Sequence, residues 1–536
     1  MSEILFGQSY HLRFDPKLWQ AMQPYPPLGT MYAASYLRQK GYEVALFDAM
    51  LAEASAETSL EWEGALDRHK PRFAVLYEDN FNYLSKMCLL RMRQTAYEMI
   101  AAARRRGCRV VVAGSDASDH PAEYLAAGAD FVLIGEGEIT LGELLDCLTG
   151  RNDASLESIH GLAYPSHSGA NSGSPRVEEG SLVITPHRPD IQDLDGLPFP
   201  AWNLVDVDRY RQIWLRRHGY FSMNLATTRG CPFHCNWCAK PIWGQRYHSR
   251  SPENVVAEIA WLAETHRPDH LWIVDDIFGL KPGWLPRFAD LMQERGLHIP
   301  FKCLNRVDLL LRPGEIEALS RAGCHTAWVG AESGSQMILD AMDKGTRVEQ
   351  IHTAASRLRQ AGIRSGFFLQ FGYPGETRRA IEQTLQMVRR AKPDDIGMSV
   401  SYPLPGTRFH AAVKAQLGEK QNWVDSDDLA MLYHGPFSTA FYRQLHTTLH
   451  QEYRLRRAVW HLTGQVTRPR TPLRSRARRR QAGVKAMAKL AFFALALPWS
   501  RAKLWWLGRR SVHGLGLLPR LTHPENPARP TQQLED

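Results

Sequence analysis

The sequence is short of several things, and each shortage removes a class of protein. Only eight of its 536 residues are cysteine. Five of them, Cys88, Cys108, Cys147, Cys303 and Cys324, are scattered, so a disulfide framework is not expected and a reducing cytoplasm is. The first residues, MSEILFGQSYHLRFD, lack a basic stretch followed by an apolar one, so no secretory signal is read there. The hydrophobic C-terminal region has no run of the ~20 apolar residues that a transmembrane helix needs; its longest uncharged apolar run, Leu490 to Trp499, has ten. No repeat of short period is visible. Acidic residues are missing from Tyr453 to Arg520, a segment with 17 Lys or Arg. The net charge of +9 is therefore local to that segment, and the rest of the chain sums to −8. Such a segment suits an acidic partner and says little about the remainder.

What is present reads as a folded protein of two to four domains, 44% hydrophobic and 23% charged. Apolar runs alternate with helical patterns over residues 1–150: EILFG from Glu3, EVALFD (Glu43 to Asp48), RFAVLY (Arg72 to Tyr77), RVVVAG (Arg109 to Gly114) and DFVLIG (Asp130 to Gly135). This is the rhythm of an α/β, doubly wound, Rossmann-like parallel sheet. Residues 151–215 are expected to be a linker, rich in Ser, Gly and Pro, with a β-hairpin between Leu162 and Thr185. A second βα series over 216–415 runs through SMNLATT, HLWIVDD, FKCLNRV, TAWVGAE, GFFLQFG and DIGMSVS. Six strands at helix-length intervals suit a parallel barrel or part of one. Residues 416–536 read as a basic, helical C-terminal region.

The three remaining cysteines are clustered in TTRGCPFHCNWCAKP, where Cys231, Cys235 and Cys238 have a C-x3-C-x2-C spacing. Three thiols within eight positions, with Gly230 and Pro232 bending the chain, argue against simple core filling. A structural zinc would need a fourth ligand, for which His234, Cys303 or a distant histidine are candidates. An iron–sulfur cluster held by three thiolates leaves one iron open to another ligand, which gives the missing fourth cysteine a chemical meaning.

With Trp237 before the third cysteine, this loop resembles that of the radical S-adenosylmethionine (SAM) superfamily, where it follows the first strand of a partial (β/α)6, TIM-like barrel. RSPENVVAEI (Arg250 to Ile259), VDDIF (Val274 to Phe278), NRVDLL (Asn305 to Leu310), GAESGS (Gly330 to Ser335), GYPGET (Gly372 to Thr377) and PLPGT (Pro403 to Thr407) follow in family order. The resemblance implies a [4Fe-4S] cluster on Cys231, Cys235 and Cys238. It also implies SAM on its open iron, an external electron donor of flavodoxin or ferredoxin type, and cleavage of SAM to a 5′-deoxyadenosyl radical. Ligands gather at the C-terminal ends of barrel strands, so Asp275, Asp276, Arg306, Glu332 and Ser333 are the candidate SAM contacts. Carboxylates would hold its ammonium or ribose, and Arg306 its carboxylate. Each also has a structural alternative as a barrel-end ion pair or cap.

The first domain refines the resemblance. YPPLGTMYAASYLRQKGYEVALFDA (Tyr25 to Ala49), VVVAGSDAS (Val110 to Ser118) and GADFVLIGEGE (Gly128 to Glu138) resemble the cobalamin (B12)-binding domain of the B12-dependent radical SAM class. Pro27, Leu28, Gly29, Gly114, Ser115, Gly135, Glu136 and Gly137 are the contacts this implies, with glycine where backbone must come close. D-x-H-x-x-G is absent: DRHKPR from Asp67 lacks the glycine, and His120 reads as a helix start. The cobalamin is therefore expected to have no histidine lower ligand. Family chemistry then implies C-methylation of an unactivated carbon first, on a small or lipid-like substrate. Oxidative cyclisation of the porphyrin-cyclase type, or another radical rearrangement, comes second. No catalytic acid or base is assigned.

Beyond residue 416, Arg-rich stretches flank the apolar, Trp-bearing KAMAKLAFFALALPWSRAKLWWLGRR (Lys485 to Arg510). A helix lying on an anionic membrane surface is expected, with packing on the barrel as the alternative and nucleic acid disfavoured for want of a recognisable module. A tRNA methylthiotransferase would carry further clustered cysteines and a terminal β-barrel, and this chain has neither. The non-enzymatic alternative is a zinc-stabilised binding protein.

Overall fold

The computed structural model describes residues 2–52, 58–79, 81, 90–166, 182–238, 242–417, 429–462 and 476–509. Cys88, Arg468 to Arg474, and everything after Arg509 lie outside the described residues.

The first sheet has seven strands in the order β2-β1-β3-β4-β5-β6-β7: β1 Ile4–Gly7, β2 Val44–Leu46, β3 Phe73–Tyr77, β4 Arg109–Ala113, β5 Phe131–Leu133, β6 Leu162–Pro165 and β7 Leu182–Ile184. The first five are parallel, and the hairpin β6–β7 adds two antiparallel strands to the same sheet. The linker expected over 151–215 thus contributes strands to the first sheet. Strand alternation sends Leu5, Ala74, Leu76, Val110, Val112 and Val132 to one buried face and Ile4, Phe6, Val75, Val111 and Leu133 to the other. Near-continuous apolar strands are what a parallel sheet covered on both faces requires.

The second sheet has six parallel strands in the order β15-β14-β13-β12-β11-β8: β8 Ser222–Leu225, β11 His270–Ile273, β12 Phe301–Asn305, β13 Cys324–Glu332, β14 Arg364–Phe371 and β15 Asp395–Val400. It is an open, partial barrel. Between β8 and β11 a two-residue ladder joins β9 Thr228–Arg229 to β10 His248–Ser249, and the cysteine loop hangs from it. Helices Pro252–His266, Trp284–Glu294, Val348–Gln360 and Arg378–Ala391 cover the outer face.

The first domain reaches the barrel's core through the loop after β1 and helix Leu28–Gln39: Tyr10, Leu28, Met31 and Tyr32 belong to the same cluster as Trp202, Trp214 and the barrel strands. The segment before helix Leu28–Gln39 runs along β8. There the Asn224 amide donates to the Pro26 carbonyl at 3.0 Å, and the Trp214 indole donates to that of Pro24 at 2.8 Å. The C-terminal helices Thr439–Leu462 and Arg476–Arg509 form a hairpin, the second with Pro498 inside it. Among the described residues no helix is long and apolar enough to cross a membrane.

Candidate active site

The cysteine loop is shaped by its own backbone. Gly230 has φ +76°, and a Cβ there would lie 2.3 Å from the Arg246 carbonyl oxygen, so the chain turns from β9 into the loop only with glycine. Cys231 is buried beside Ile277 and Leu309. Cys235 is also buried, and Cys238 is half-buried. Asn236 fastens the loop: its backbone N–H donates to Met342 O at 3.0 Å and its amide to Ala341 O at 2.7 Å. The Tyr373 hydroxyl donates to Asn236 Oδ1 at 3.0 Å.

Positive charge faces the thiols. The Arg306 guanidinium stands 3.9 Å from Cys235 Sγ and 3.6 Å from the Phe233 ring centroid, and is steered by Asp308 at 3.1 and 3.2 Å. It also donates to the Lys344 carbonyl at 2.8 Å. Lys344 pairs with Glu332 at 2.9 Å. Burial opposes the Lys344 charge, but Glu332 and Cys235 together outweigh it and hold the ammonium above its usual range. Glu332 adopts φ +51°, a conformation that costs a non-glycine residue about 1 kcal/mol. That turn brings its carboxylate back over Gly330, where a Cβ would meet Glu332 Oε1 and Lys344 Nζ.

The other candidate SAM contacts are placed differently. Asp275 accepts from the backbone N–H groups of Thr227 at 2.7 Å and Thr228 at 3.0 Å, and from the Thr227 hydroxyl. It clasps the chain just before the cysteine loop. Burial pushes its carboxyl up to about 7, against the pull of those donors. Ser333 is fully buried, bonded to the Thr384 hydroxyl at 3.2 Å and to the Ser335 N–H at 3.1 Å. Asp276 is half-buried beside Ile277. So Arg306 and Glu332 stand with the thiols, whereas Asp275 and Ser333 are engaged by the fold. Asn236, Asp308 and Lys344 were missed because each is a single polar residue outside the strand-end pattern.

Of the zinc candidates, His234 is exposed and bonds Gln245, and Cys303 lies in the core 3.8 Å from Cys324. Among the described residues no three His, Cys, Asp or Glu side chains gather around a single ion. The donor set itself, three thiols on one loop with a guanidinium and an ammonium beside them, fits an anionic thiolate cluster and the α-amino acid end of a ligand.

At the first sheet, the strand order reverses between β1 and β3, where an open α/β sheet binds ligands. The loop after β1 carries Gln8, whose amide oxygen and nitrogen are both buried without a partner among the described residues, and His11, with both ring nitrogens likewise. Burial pushes the His11 imidazole down to about 4, so it is neutral at pH 7. Orphaned donors and acceptors at a sheet's carboxyl edge fit an amide-rimmed ligand such as cobalamin. Nearby, Gly29 N–H donates to Asp79 at 3.1 Å, Pro27 caps the helix that the fully buried Leu28 begins, and Ser115 starts the short helix after Gly114. A Cβ on Gly114 would meet that of Glu78 at 2.8 Å. Gly135 and Gly137 approach His187 and Tyr77, and His120 precedes helix Pro121–Ala126 as a helix-start residue.

Glu136 links the two halves. Its carboxylate and that of Glu138 receive the buried Arg229 guanidinium at 2.9 and 2.7 Å, and Glu136 also accepts from Ile191 N–H at 2.6 Å. Arg229 is the second residue before Cys231. Arg250, at the end of the same loop, donates to the Tyr32 hydroxyl at 3.1 Å and to Ala226 O at 2.9 Å. A narrow cleft opens at this junction, lined by Tyr32, Phe81, Ala226, Thr228, Arg229 and Arg250.

Comparison with known proteins agrees with this architecture. Residues 20–145 match the B12 binding domain and 225–388 the radical SAM superfamily. An uncharacterized methyltransferase of Pyrococcus horikoshii is 30% identical over 297 residues, 55% of this chain and 60% of that protein. The anaerobic magnesium-protoporphyrin IX monomethyl ester cyclase of Rubrivivax gelatinosus is 26% identical over 386 residues, 71% of this chain and 65% of that one. The chain thus spans less than two thirds of the length of either. The fold is shared with the radical SAM methyltransferase TsrM of Kitasatospora setae, solved with cobalamin and a [4Fe-4S] cluster (TM-score 0.58, 20% identity, 77% of this chain and 78% of that). It is shared too with the cobalamin-dependent radical SAM enzyme OxsB (TM-score 0.62, 17% identity, 91% and 71%). The chain belongs to the radical SAM superfamily, in the group that carries a B12-binding domain ahead of the barrel.

Proposed function

We propose that this protein is a cobalamin-dependent radical SAM enzyme that methylates an unactivated carbon. The observation that carries the reading is the buried Arg229–Glu136–Glu138 contact, which ties the B12-binding domain's GEGE loop to the root of the three-thiol loop. The bound cofactors would supply a 5′-deoxyadenosyl radical and a methyl group. The chain's own residues position and enclose. Cys231, Cys235 and Cys238 would hold the cluster, Arg306 would offer a cation to the SAM carboxylate, and Glu332 would offer a carboxylate to the SAM ammonium. Asp275 keeps the loop's entry closed by occupying the Thr227 and Thr228 donors. An external flavodoxin- or ferredoxin-type donor supplies electrons.

The test is anaerobic reconstitution with iron, sulfide and cobalamin, then reduction in the presence of methyl-deuterated SAM and candidate hydrophobic substrates. 5′-Deoxyadenosine, S-adenosylhomocysteine and a deuteromethylated product, all lost in the triple Cys→Ala variant, are expected. Deoxyadenosine with an oxidised, unmethylated product would favour cyclase-type chemistry, a reading supported by the R. gelatinosus cyclase's coverage of 71% of the chain.

We propose separately that the C-terminal helix meets an anionic membrane surface. Helix Arg476–Arg509 turns Phe492, Leu495, Trp499 and Trp506 outward, with Leu495 83% and Trp499 76% exposed, beside Arg501, Lys503 and Arg509. Apolar rings interleaved with cations suit a headgroup layer. Sedimentation with phosphatidylglycerol vesicles, lost for Trp499→Ser with Trp506→Ser, is expected; equal binding by the double variant would refute it.

A further inference from the structure

The second sheet has two unlike faces. Phe301, Cys303, Ala327, Val329, Phe367 and Leu369 are buried against the helices. The alternate residues Trp272, Lys302, Leu304, Trp328 and Gly330 are only half-buried, and Phe368 is 40% exposed. Side chains alternate across a strand, so these residues share the inner, concave face of the open barrel. Neither Trp328 nor Phe368 belongs to a hydrophobic cluster of the described residues.

The pairing fixes how they lie. Trp272 neighbours Lys302, Leu304 neighbours Trp328, and Phe368 sits between Gly330 and Gly397. Glycine gives the rings room to lie flat: a Cβ on Gly366 would be 2.4 Å from Trp328 Cδ2. Trp328 and Phe368 stack with centroids 4.7 Å apart and planes 30° apart. At the other end of this floor, the Lys302 ammonium stands 4.4 Å from the Trp272 ring and 5.5 Å from that of Tyr25. No carboxylate pairs with it among the described residues. A cation held against two rings without a counter-charge is costly. On the same face the Gln370 amide oxygen is buried without a partner. Strand spacing and rise put the Lys302 Cα roughly 8 Å from that of Trp328 and roughly 16 Å from that of Phe368. The floor continues up to the thiol site, since the Glu332–Lys344 pair stands over Gly330.

We propose that this face is the substrate bed, and that it takes a planar conjugated molecule bearing an anionic group, its rings extending the Trp328–Phe368 stack and its anion at Lys302. The assignment rests on the radical SAM reading above and adds the substrate class to it. A flexible alkyl chain gains little from a ring stack with an open face, whereas a flat π-system continues it. A neutral planar ligand would leave the Lys302 charge unanswered. Adenine of SAM is such a ligand.

The test uses the full-length reconstituted protein and two fluorescent probes with the same ring system, pyrene-1-carboxylate and pyrene-1-methanol, titrated by fluorescence anisotropy. The carboxylate is expected to bind about tenfold more tightly than the alcohol. Lys302→Gln should erase that difference, and Phe368→Ala should weaken both probes about fivefold. Because Phe368 belongs to none of the hydrophobic clusters, its removal leaves the core intact, and circular dichroism of the variant checks this. Equal affinity for the two probes, no change in Phe368→Ala, or competitive displacement of the probe by SAM would each overturn the proposal. SAM cleavage measured on the same samples separates the two readings. Cleavage without selective probe binding sinks the bed alone, and probe binding with no cleavage under any condition sinks the radical SAM reading.

Discussion

Replacing Arg229 with methionine removes the one cation that two buried carboxylates share. Arg229, Glu136 and Glu138 are each about 5% exposed or less. Burial, with Glu138 adding to it, already pushes the Glu136 carboxyl up, and Arg229 is what opposes them. Removing one member of a buried ion pair typically costs about 3–5 kcal/mol, because the remaining charge loses its partner without regaining water. Here the loss falls on the contact between the first sheet's loop and the root of the cysteine loop. Urea unfolding of the full chain should show a clearly lower midpoint. Amide exchange over residues 228–249 should accelerate by about two to three orders of magnitude. Adding Glu136→Gln and Glu138→Gln to Arg229→Met should restore most of the loss, since amides and a thioether fill similar volume without stranded charge. The reasoning is refuted if Arg229→Met unfolds within about 1 kcal/mol of the parent, or if the triple variant is no more stable than the single one.

Glu376 accepts from Gly372 N–H at 2.8 Å and from the Tyr442 hydroxyl at 3.2 Å, and burial pushes its carboxyl up to about 8. Its folded value lies above its ordinary one, so the folded state holds the proton longer. This contribution to stability is full below about pH 4.5 and fades as pH rises to about 8, by roughly 5 kcal/mol in all. Thermal melts of Glu376→Gln should lack that part of the slope, and a slope identical to the parent's would contradict it. Gly230→Ala should abolish iron incorporation, as the new Cβ would meet the Arg246 carbonyl; full iron content would show that the turn can rearrange. Asn236→Ala leaves the loop without its fasteners to Ala341 and Tyr373 and should cost about 2 kcal/mol, with cluster loss on dilution faster than in the parent.

Eleven of the longer strands were legible because each is an apolar run of strand length bounded by turn residues, and the hairpin from Leu162 to Thr185 was legible for the same reason. The β9–β10 ladder was not: two residues per strand carry no periodicity. Its glycine and arginine, Gly230 and Arg229, make sense only with Arg246 and Glu136 in view. The site was half legible. The thiol spacing is local, but a polar residue at a strand end does not reveal whether it faces the cavity, as Arg306 does toward Cys235, or closes on a neighbouring backbone, as Asp275 does on Thr227 and Thr228. Lys344 follows Glu332 by twelve residues, and only the left-handed turn at Glu332 brings the two together.

The most direct test of the account is the metal on the three thiols and its response to SAM. Protein reconstituted anaerobically should carry about four irons and four sulfides per chain. After reduction it should give an electron paramagnetic resonance signal that shifts when SAM is added, and iron and signal alike should vanish in the Cys231, Cys235 and Cys238→Ala variant. Zinc in place of iron, or a cluster signal that SAM leaves unchanged, would contradict the account at its centre.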